Sequence, residues 1–374
     1  MATPTQQRRW FRSLLPKLVL AVTAPFLLLE GALRLQQILG PITDLALADV
    51  SRACLSATLN HVPEAREGYD AHGLKDYGDA LPAEQPGEAR VWFMGDSFMQ
   101  GYGREGIPLE VTRRCRAQGR AVRPFNSAYG SYSPAIYVVQ TRQLAAVVRP
   151  THVVVQFDHT DLGDDWIRYR HLMDRDPDGR ILAVRPTPVR MAYIDGLLAV
   201  RSHWLYSVRL PHKLWLNHVW MPAAVAAYRQ AHDPRDVLDL VRDTSPNVAE
   251  RLGREIAFFQ NNLREFAQEL ERHVPPERIL WVCHPHLGHL TNPPTLNHVV
   301  FDALAVVAAE RGITYRNLTA DFRQALGGRP SDYFVPGDEY SHYTPAGLKV
   351  YGEIVHRYFQ LLLDAPTPND QSGP

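Results

Sequence analysis

Five short apolar runs recur along the chain, Val91–Met94, Val122–Phe125, Val153–Phe157, Ile279–Cys283 and Ile313–Tyr315, and helical spacing fills the stretches between them. Runs of this length bounded by polar turns read as strands. Ser133-Pro134 opens one helix with a capping residue and a first-turn proline, and that helix runs toward Val148 ahead of Pro150. Ala249, Leu252, Ile256, Phe259, Leu263, Phe266 and Leu270 form one stripe, the spacing of a helix packed on a sheet. Leu296–Arg311 stops at Gly312, and Thr344-Pro345 starts a last helix reaching about Leu363. Parallel strands need long crossovers, so strand and helix in alternation predict a three-layer α/β/α fold with a mainly parallel central sheet.

The N-terminus adds a second constraint. Arg8, Arg9, Arg12 and Lys17 precede the apolar run Leu18–Leu29, which Glu30 closes. The basic flank favours a cytoplasmic N-terminus. The run is shorter than the roughly 20 residues a spanning helix needs, so a cleaved signal peptide competes, with Val22-Thr23-Ala24 as a small-residue cleavage site. Cleavage would leave Phe26–Leu29 as an exposed apolar end, which favours an uncleaved membrane helix extended by Leu14, Leu15 and Leu33–Leu35. Either way the bulk of the chain lies outside the cytoplasm, on the periplasmic side. The expected division is a cytoplasmic stub and anchor over 1–38, a membrane-proximal segment and linker over 39–89 with an amphipathic helix across Ile42–Leu59, an α/β domain over 90–364, and a loose tail over 365–374. Residues 165–244, rich in Trp, Tyr, Arg and His, read as an insertion over the carboxyl edge of the sheet.

Forty basic residues balance forty acidic ones, which gives no electrostatic reason to expect a nucleic-acid partner. Cys54, Cys115 and Cys283 lack C-x-x-C spacing, which argues against a zinc site or a disulfide framework and leaves a single bridge open.

The chemistry centres on Val91–Gly103, where an apolar strand ends in the small, polar Gly95-Asp96-Ser97. Glycine lets the chain leave the strand sharply and present Ser97 at the carboxyl edge of the sheet, where ligands of open α/β folds sit. A serine hydroxyl needs a base within hydrogen-bond reach and donors for the developing oxyanion. Three stretches at strand ends or helix starts supply candidates. Asn126–Ser133 contains Gly130, whose backbone N–H can approach a bound oxygen. Phe157–Asp165 contains Thr160 and Asp161, and Gly337–Gly347 contains His342 with Glu339 three and Asp338 four residues before it. A carboxylate so placed can orient the ring and stabilise the imidazolium.

Gly95-Asp96-Ser97, Gly130, Thr160-Asp161 and the acid-to-histidine spacing before His342 together resemble the blocks of the GDSL or SGNH hydrolase superfamily, over roughly Ala71–Leu363. His72–Asp76 and Asp178-Gly179 are similar to segments of bacterial membrane-anchored members. The resemblance implies a flavodoxin-like arrangement, Ser97 as nucleophile, His342 as base, and the N–H groups of Ser97 and Gly130 as two oxyanion donors. Two positions depart from the family pattern: Thr160 stands where the third donor is an asparagine side chain, and Glu339 stands where the acid is an aspartate, with Asp338 one residue further back. Both acids stay candidates. The chemistry implied is acyl transfer through an acyl-enzyme with no cofactor. Water as acceptor makes an esterase and a sugar hydroxyl an O-acyltransferase, with an acylated envelope glycan or lipid ester as the substrate. The alternative is a noncatalytic envelope binding or assembly protein that keeps the fold.

Other residues have plainer readings. His284, His286 and His289 follow a strand but lack metal-ligand spacing, and read as a polar loop beside the cleft. Asp158, His159, Asp161, Asp164 and Asp165 lack the ligand alternation of a calcium loop and read as a solvated or hydrogen-bonding loop. Asp96 reads as a turn acceptor, and Tyr129, Tyr132 and Tyr343 as pocket lining or loop packing.

Overall fold

A computed structural model describes residues 4–39, 44–47, 54–63, 68–81, 85–102 and 105–364. In chain order the longer elements are α1 (Pro4–Leu39), β1 (Ala89–Met94), α2 (Ile107–Ala117), β2 (Val122–Asn126), α3 (Pro134–Val148), β3 (His152–Phe157), α4 (Pro188–Ser202), α5 (Tyr206–Trp215) and α6 (Met221–His232). They continue with α7 (Gly253–Glu271), β4 (Ile279–Cys283), α8 (Val299–Arg311), β5 (Thr314–Asn317), α9 (Thr319–Leu326) and α10 (Pro345–Leu363). The five strands pair in parallel in the order β2-β1-β3-β4-β5. That is a doubly wound order of the flavodoxin kind, with its switch point between β1 and β3.

Side-chain alternation builds the layers. In β1, Trp92 and Met94 face a core shared with Tyr137 of α3, Phe266 of α7 and Leu304 of α8. Val91 and Phe93 face the opposite core, with Val111 of α2, Phe322 of α9 and Tyr351 of α10. All four strand residues are inaccessible to solvent, because a strand covered by helices on both faces has no polar side to present.

Helix ends follow the sequence with one instructive exception. Thr344 accepts from the Gly347 N–H, and Gly312 closes α8 at φ 67°. Ser133 does not cap α3. Its hydroxyl donates to Asp165, and that carboxylate accepts the Ala135 N–H at 3.1 Å, so the cap comes from the start of the insertion. The helix expected across Ile42–Leu59 is absent from its described parts, 44–47 and 54–59. Leu55–Ser56 instead pairs with Asn60–His61 in a hairpin, and Asn60, just after the turn, has φ 61°, a conformation asparagine tolerates better than most residues. The insertion also contains a hairpin, Met173–Arg175 with Ile181–Val184. The expected tail, 365–374, lies outside the described residues. Cys54, Cys115 and Cys283 form no disulfide, which rules out the single bridge left open by the sequence.

The chain divides into two compact units. One joins residues 1–52 and 187–231, and the other joins 53–186 and 232–374. The second unit holds the sheet. The first is helical: α1 carries a stretch, Leu14–Ile38, long and apolar enough to cross a membrane, with mean hydropathy 1.8 and only 6% of it buried. Near its end, Glu30 accepts the Tyr206 and Ser207 N–H groups at 3.1 and 2.8 Å. An acid borrowed from another helix thus satisfies the open amides that begin α5, whose own cap residue, Leu205, has no side-chain acceptor.

Candidate active site

β1 ends at Gly95, and the cause is crowding from the neighbouring strand. A Cβ there would lie 2.6 Å from Gln156 Oε1 and 2.7 Å from Met99 Cβ. The chain then enters one helical turn, Ser97–Gln100, begun by Asp96, whose carboxylate accepts the Phe98 N–H at 2.9 Å. Ser97 is left half-buried at the carboxyl edge of the sheet.

There the hydroxyl meets a histidine 245 positions further on. Ser97 Oγ lies 2.8 Å from His342 Nε2, within the range for proton transfer between nucleophile and base. Asp338 Oδ2 receives the His342 ring at Nδ1 in a short contact and the His342 backbone N–H at 2.9 Å. With Nδ1–H donated to the carboxylate, Nε2 remains as the acceptor for the serine proton. Burial alone would raise the Asp338 carboxyl, but the N–H groups of His342 and Tyr340 and the His342 ring together hold it below the ordinary range. Glu339 points elsewhere: its side chain is 74% exposed and its carboxylate lies 3.4 Å from Arg242. Spacing left two acids open, and the loop's course brings only Asp338 to the ring.

The histidine loop is braced from β4. His286 Nε2 donates to the Glu339 carbonyl at 2.8 Å and lies 2.8 Å from Ser341 Oγ, and Phe98 stacks 4.7 Å from the His342 ring. His289 Nε2 donates to the Asn297 carbonyl at 2.9 Å. These histidines are therefore scaffold, and burial lowers the pKa of His284 to about 3 and of His289 to about 4.

Gly130 arrives from the loop after β2. A Cβ on it would stand 3.9 Å from Ser97 Cβ. Its N–H donates to Gln100 Oε1 at 3.1 Å, so an amide carbonyl occupies this donor. The loop is held by residues that the sequence reading passed over. His61 Nε2 donates to the Gly130 carbonyl at 2.8 Å, Tyr169 Oη to the Ser131 carbonyl at 2.6 Å, and Arg168 Nη1 to Ser131 Oγ at 2.7 Å. Arg168 and Tyr169 lie in a π-helical turn, Asp164–Tyr169, a form that recurs at functional sites. Ser131 beside Gly130 and Ser341 beside His342 have φ of 62° and 57°. Such backbone costs about 1–3 kcal/mol per residue and persists only where surroundings enforce it, as the braces on both loops do. Tyr129 and Tyr132 pack against His61 in the same brace, whereas Tyr343 borders the cleft.

Thr160 also lines the cleft, but its hydroxyl proton goes to Asp158 Oδ1 at 2.8 Å. The acidic loop around it is deeply buried instead of solvated. Asp96, Asp158, Asp161, Asp164 and Asp165 are each at most 3% exposed. Oxygens of Asp96, Asp158 and Asp161 lie within 4.8 Å of one another, yet each of these residues already accepts a backbone N–H. Burial, reinforced by the Asp158 charge, pushes Asp161 well up, and burial raises Asp164 to about 7 and Asp165 to about 6. Neutral carboxyls can sit together where charged ones would repel.

The sign of the pH effect follows. A carboxyl whose folded pKa is raised binds a proton that the unfolded chain releases, so its contribution to stability is present at low pH and lost as pH climbs from about 4 through the folded values. Buried histidines with lowered pKa act in the opposite sense, so a variant must isolate the carboxyl share. Asp161→Asn should raise the thermal midpoint at pH 8, by about 2–4 °C for each kcal/mol regained, and the gain should shrink as pH falls and vanish only near pH 4. A midpoint unchanged or lowered at pH 8 would show that Asp161 is folded as a carboxylate.

Two depressions meet at the Ser97–His342 pair. One is walled by Phe98, Val335, Tyr343 and Leu348, the other by Ser131, Thr160, Arg168 and Tyr340. No family model matches the chain, and no match is found among curated proteins. Among solved structures it is similar to a lipase/acylhydrolase from Enterococcus faecalis, at 12% identity over 72% of this chain and 95% of that one, TM-score 0.39. It is also similar to a catalytic mutant of Axe2, an acetylxylan esterase from Geobacillus stearothermophilus, at 11% identity over 74% and 95%, TM-score 0.43. Both likenesses are distant.

Proposed function

We propose that the protein is a serine ester hydrolase or O-acyltransferase of the SGNH type, working through an acyl-enzyme on Ser97. The observation that carries this reading is the hydrogen-bonded row Ser97, His342, Asp338 at one rim of a parallel sheet. His342 takes the serine proton as Oγ attacks the ester carbonyl, and Asp338 stabilises the imidazolium. The N–H groups of Ser97 and Gly130 hold the oxyanion, and His342 returns the proton to the departing alkoxide. Thr160 would add a third donor on turning its proton from Asp158 toward the cleft. Water or a second hydroxyl then releases the acyl group. Phe98, Val335 and Leu348 on one side of Ser97 offer apolar contact to a short acyl chain, and Ser131, Arg168 and Tyr340 on the other offer hydrogen-bonding groups to an acylated glycan, the substrate class favoured here. Leu14–Ile38 would anchor the chain in the cell membrane with the sheet unit on the periplasmic side, placing envelope glycans or lipid esters within reach.

A fluorophosphonate probe and a short p-nitrophenyl ester test the reading together. Labelling at Ser97 with ester turnover is expected, and a folded protein that does neither contradicts it. Mass-tracking of the acyl group in the presence of a candidate polysaccharide separates transfer from hydrolysis.

The occupied Gly130 N–H and the committed Thr160 proton favour a second reading, a binding protein whose catalytic hole has closed. Gln100→Ala distinguishes the two. Removing one competing neutral hydrogen bond, worth about 0.5–1.5 kcal/mol, should raise kcat/KM for a small ester by about two- to tenfold, through kcat. No turnover in either protein would favour the binding reading.

A further inference from the structure

We propose that the helical insert α4–α6 is a membrane-interface collar, seated in the headgroup region of the bilayer that α1 crosses. This rests on the anchored reading above and is independent of the ester chemistry.

Three observations converge. First, the insert is tied to α1 at one level. Glu30 accepts from Tyr206 N, Ser207 N and Ser207 Oγ, while Arg34 donates to the Trp204 carbonyl at 3.0 Å and lies over the Trp204 and Tyr206 rings. A bilayer core about 30 Å thick takes about 20 residues at 1.5 Å each. Counted from Leu14, the core ends near Leu33, so Glu30 and Arg34 straddle its outer boundary and hold the start of α5 there. Second, the insert shows water a set of side chains that water does not favour. Trp204 is 78% exposed, Val219 57%, Trp215 49% and Leu214 43%. The core it shares with Leu47 is small, formed around Leu197, Val200 and Leu216. Tryptophan at the end of a membrane helix is the composition of an interfacial belt. Third, charge fits. Residues 187–231 contain five basic residues, Arg190, Arg201, Arg209, Lys213 and Arg229, against one acid, Asp195, in a chain whose formal net charge is zero. Arg201, Arg209 and Lys213 are half-buried and donate to backbone carbonyls, so the excess acts as a positive field behind an apolar, Trp-bearing surface, and that combination beside a spanning helix matches anionic headgroups.

The test uses the full chain carrying Cys54→Ser, since Cys115 and Cys283 are buried. Trp204→Cys and Trp215→Cys, both at exposed positions, are labelled singly with bimane and reconstituted in phosphatidylethanolamine–phosphatidylglycerol vesicles. Flotation of the vesicles reports the anchor, and quenching reports the collar. Both labels are expected to show quenching by lipids bearing a nitroxide near the headgroup and a several-fold loss of iodide quenching relative to bimane-glutathione. Protein that floats while either label remains open to iodide overturns the collar and leaves the anchor standing. Protein that floats with labels shielded from both quenchers also overturns it, because a protein surface then covers the insert. Protein that fails to float removes the anchor and the collar together.

Discussion

Ser97→Ala is expected to lower kcat/KM for a short acyl ester by about 10⁴-fold or more while leaving the folded state intact. The size follows from the cooperative use of the site. With Oγ gone, His342 has no proton to take and Asp338 no imidazolium to stabilise, so the row fails as a unit and only binding and the backbone donors remain. The side chain is small and half-buried, and its partner Nε2 faces the cleft, so the substitution leaves no buried group stranded. Turnover within about tenfold of the parent would mean that another group attacks the ester.

The second large effect separates two adjacent acids. Asp338→Asn should lower kcat by about 10³–10⁴-fold, because an amide can donate to Nδ1 and then favours the tautomer that puts the proton on Nε2, facing the serine. Glu339→Gln should change kcat by less than about twofold, since its exposed carboxylate pairs with Arg242 and such a surface pair is worth only about 0–1 kcal/mol. Equal losses in the two variants would remove Asp338 from its role. A pH profile adds an independent readout: Asp338→Asn should shift the low-pH limb of kcat/KM, whereas Glu339→Gln should leave it in place.

How much of this was legible in the sequence depended on range. Strand positions were readable because β1, β3 and β4 are buried on both faces, and such strands are nearly uninterrupted apolar runs. The residues that meet at the rim were readable as chemistry: serine after a glycine turn, histidine before a helix start. What escaped were contacts set by the tertiary path. Gln100 shares a helical turn with Ser97, the one local signal that pointed at Gly130. Nothing near Arg168 or Tyr169 in sequence points to Ser131, and the π-helical turn that aims them has no periodic signature. His61 sits in a stretch read as linker, just past the expected helix, yet it reaches the Gly130 carbonyl across 69 positions. Of the two readings of the acidic loop, the hydrogen-bonded one agrees with the structure and the solvated one does not. Burial by the surrounding core shifts those carboxyls toward the neutral form instead. The choice between Asp338 and Glu339 turned on Ser341 adopting φ 57°, which spacing does not encode.

The most direct measurement is to mix the protein with an acetyl ester, stop the reaction in acid within the first turnovers, and map the acetylated peptide by mass spectrometry. An acetyl group on Ser97, which appears before steady-state product and is absent from Ser97→Ala, is the expected result. Ester turnover with acetyl found only elsewhere, or on no residue at all, would contradict an acyl-enzyme at this serine.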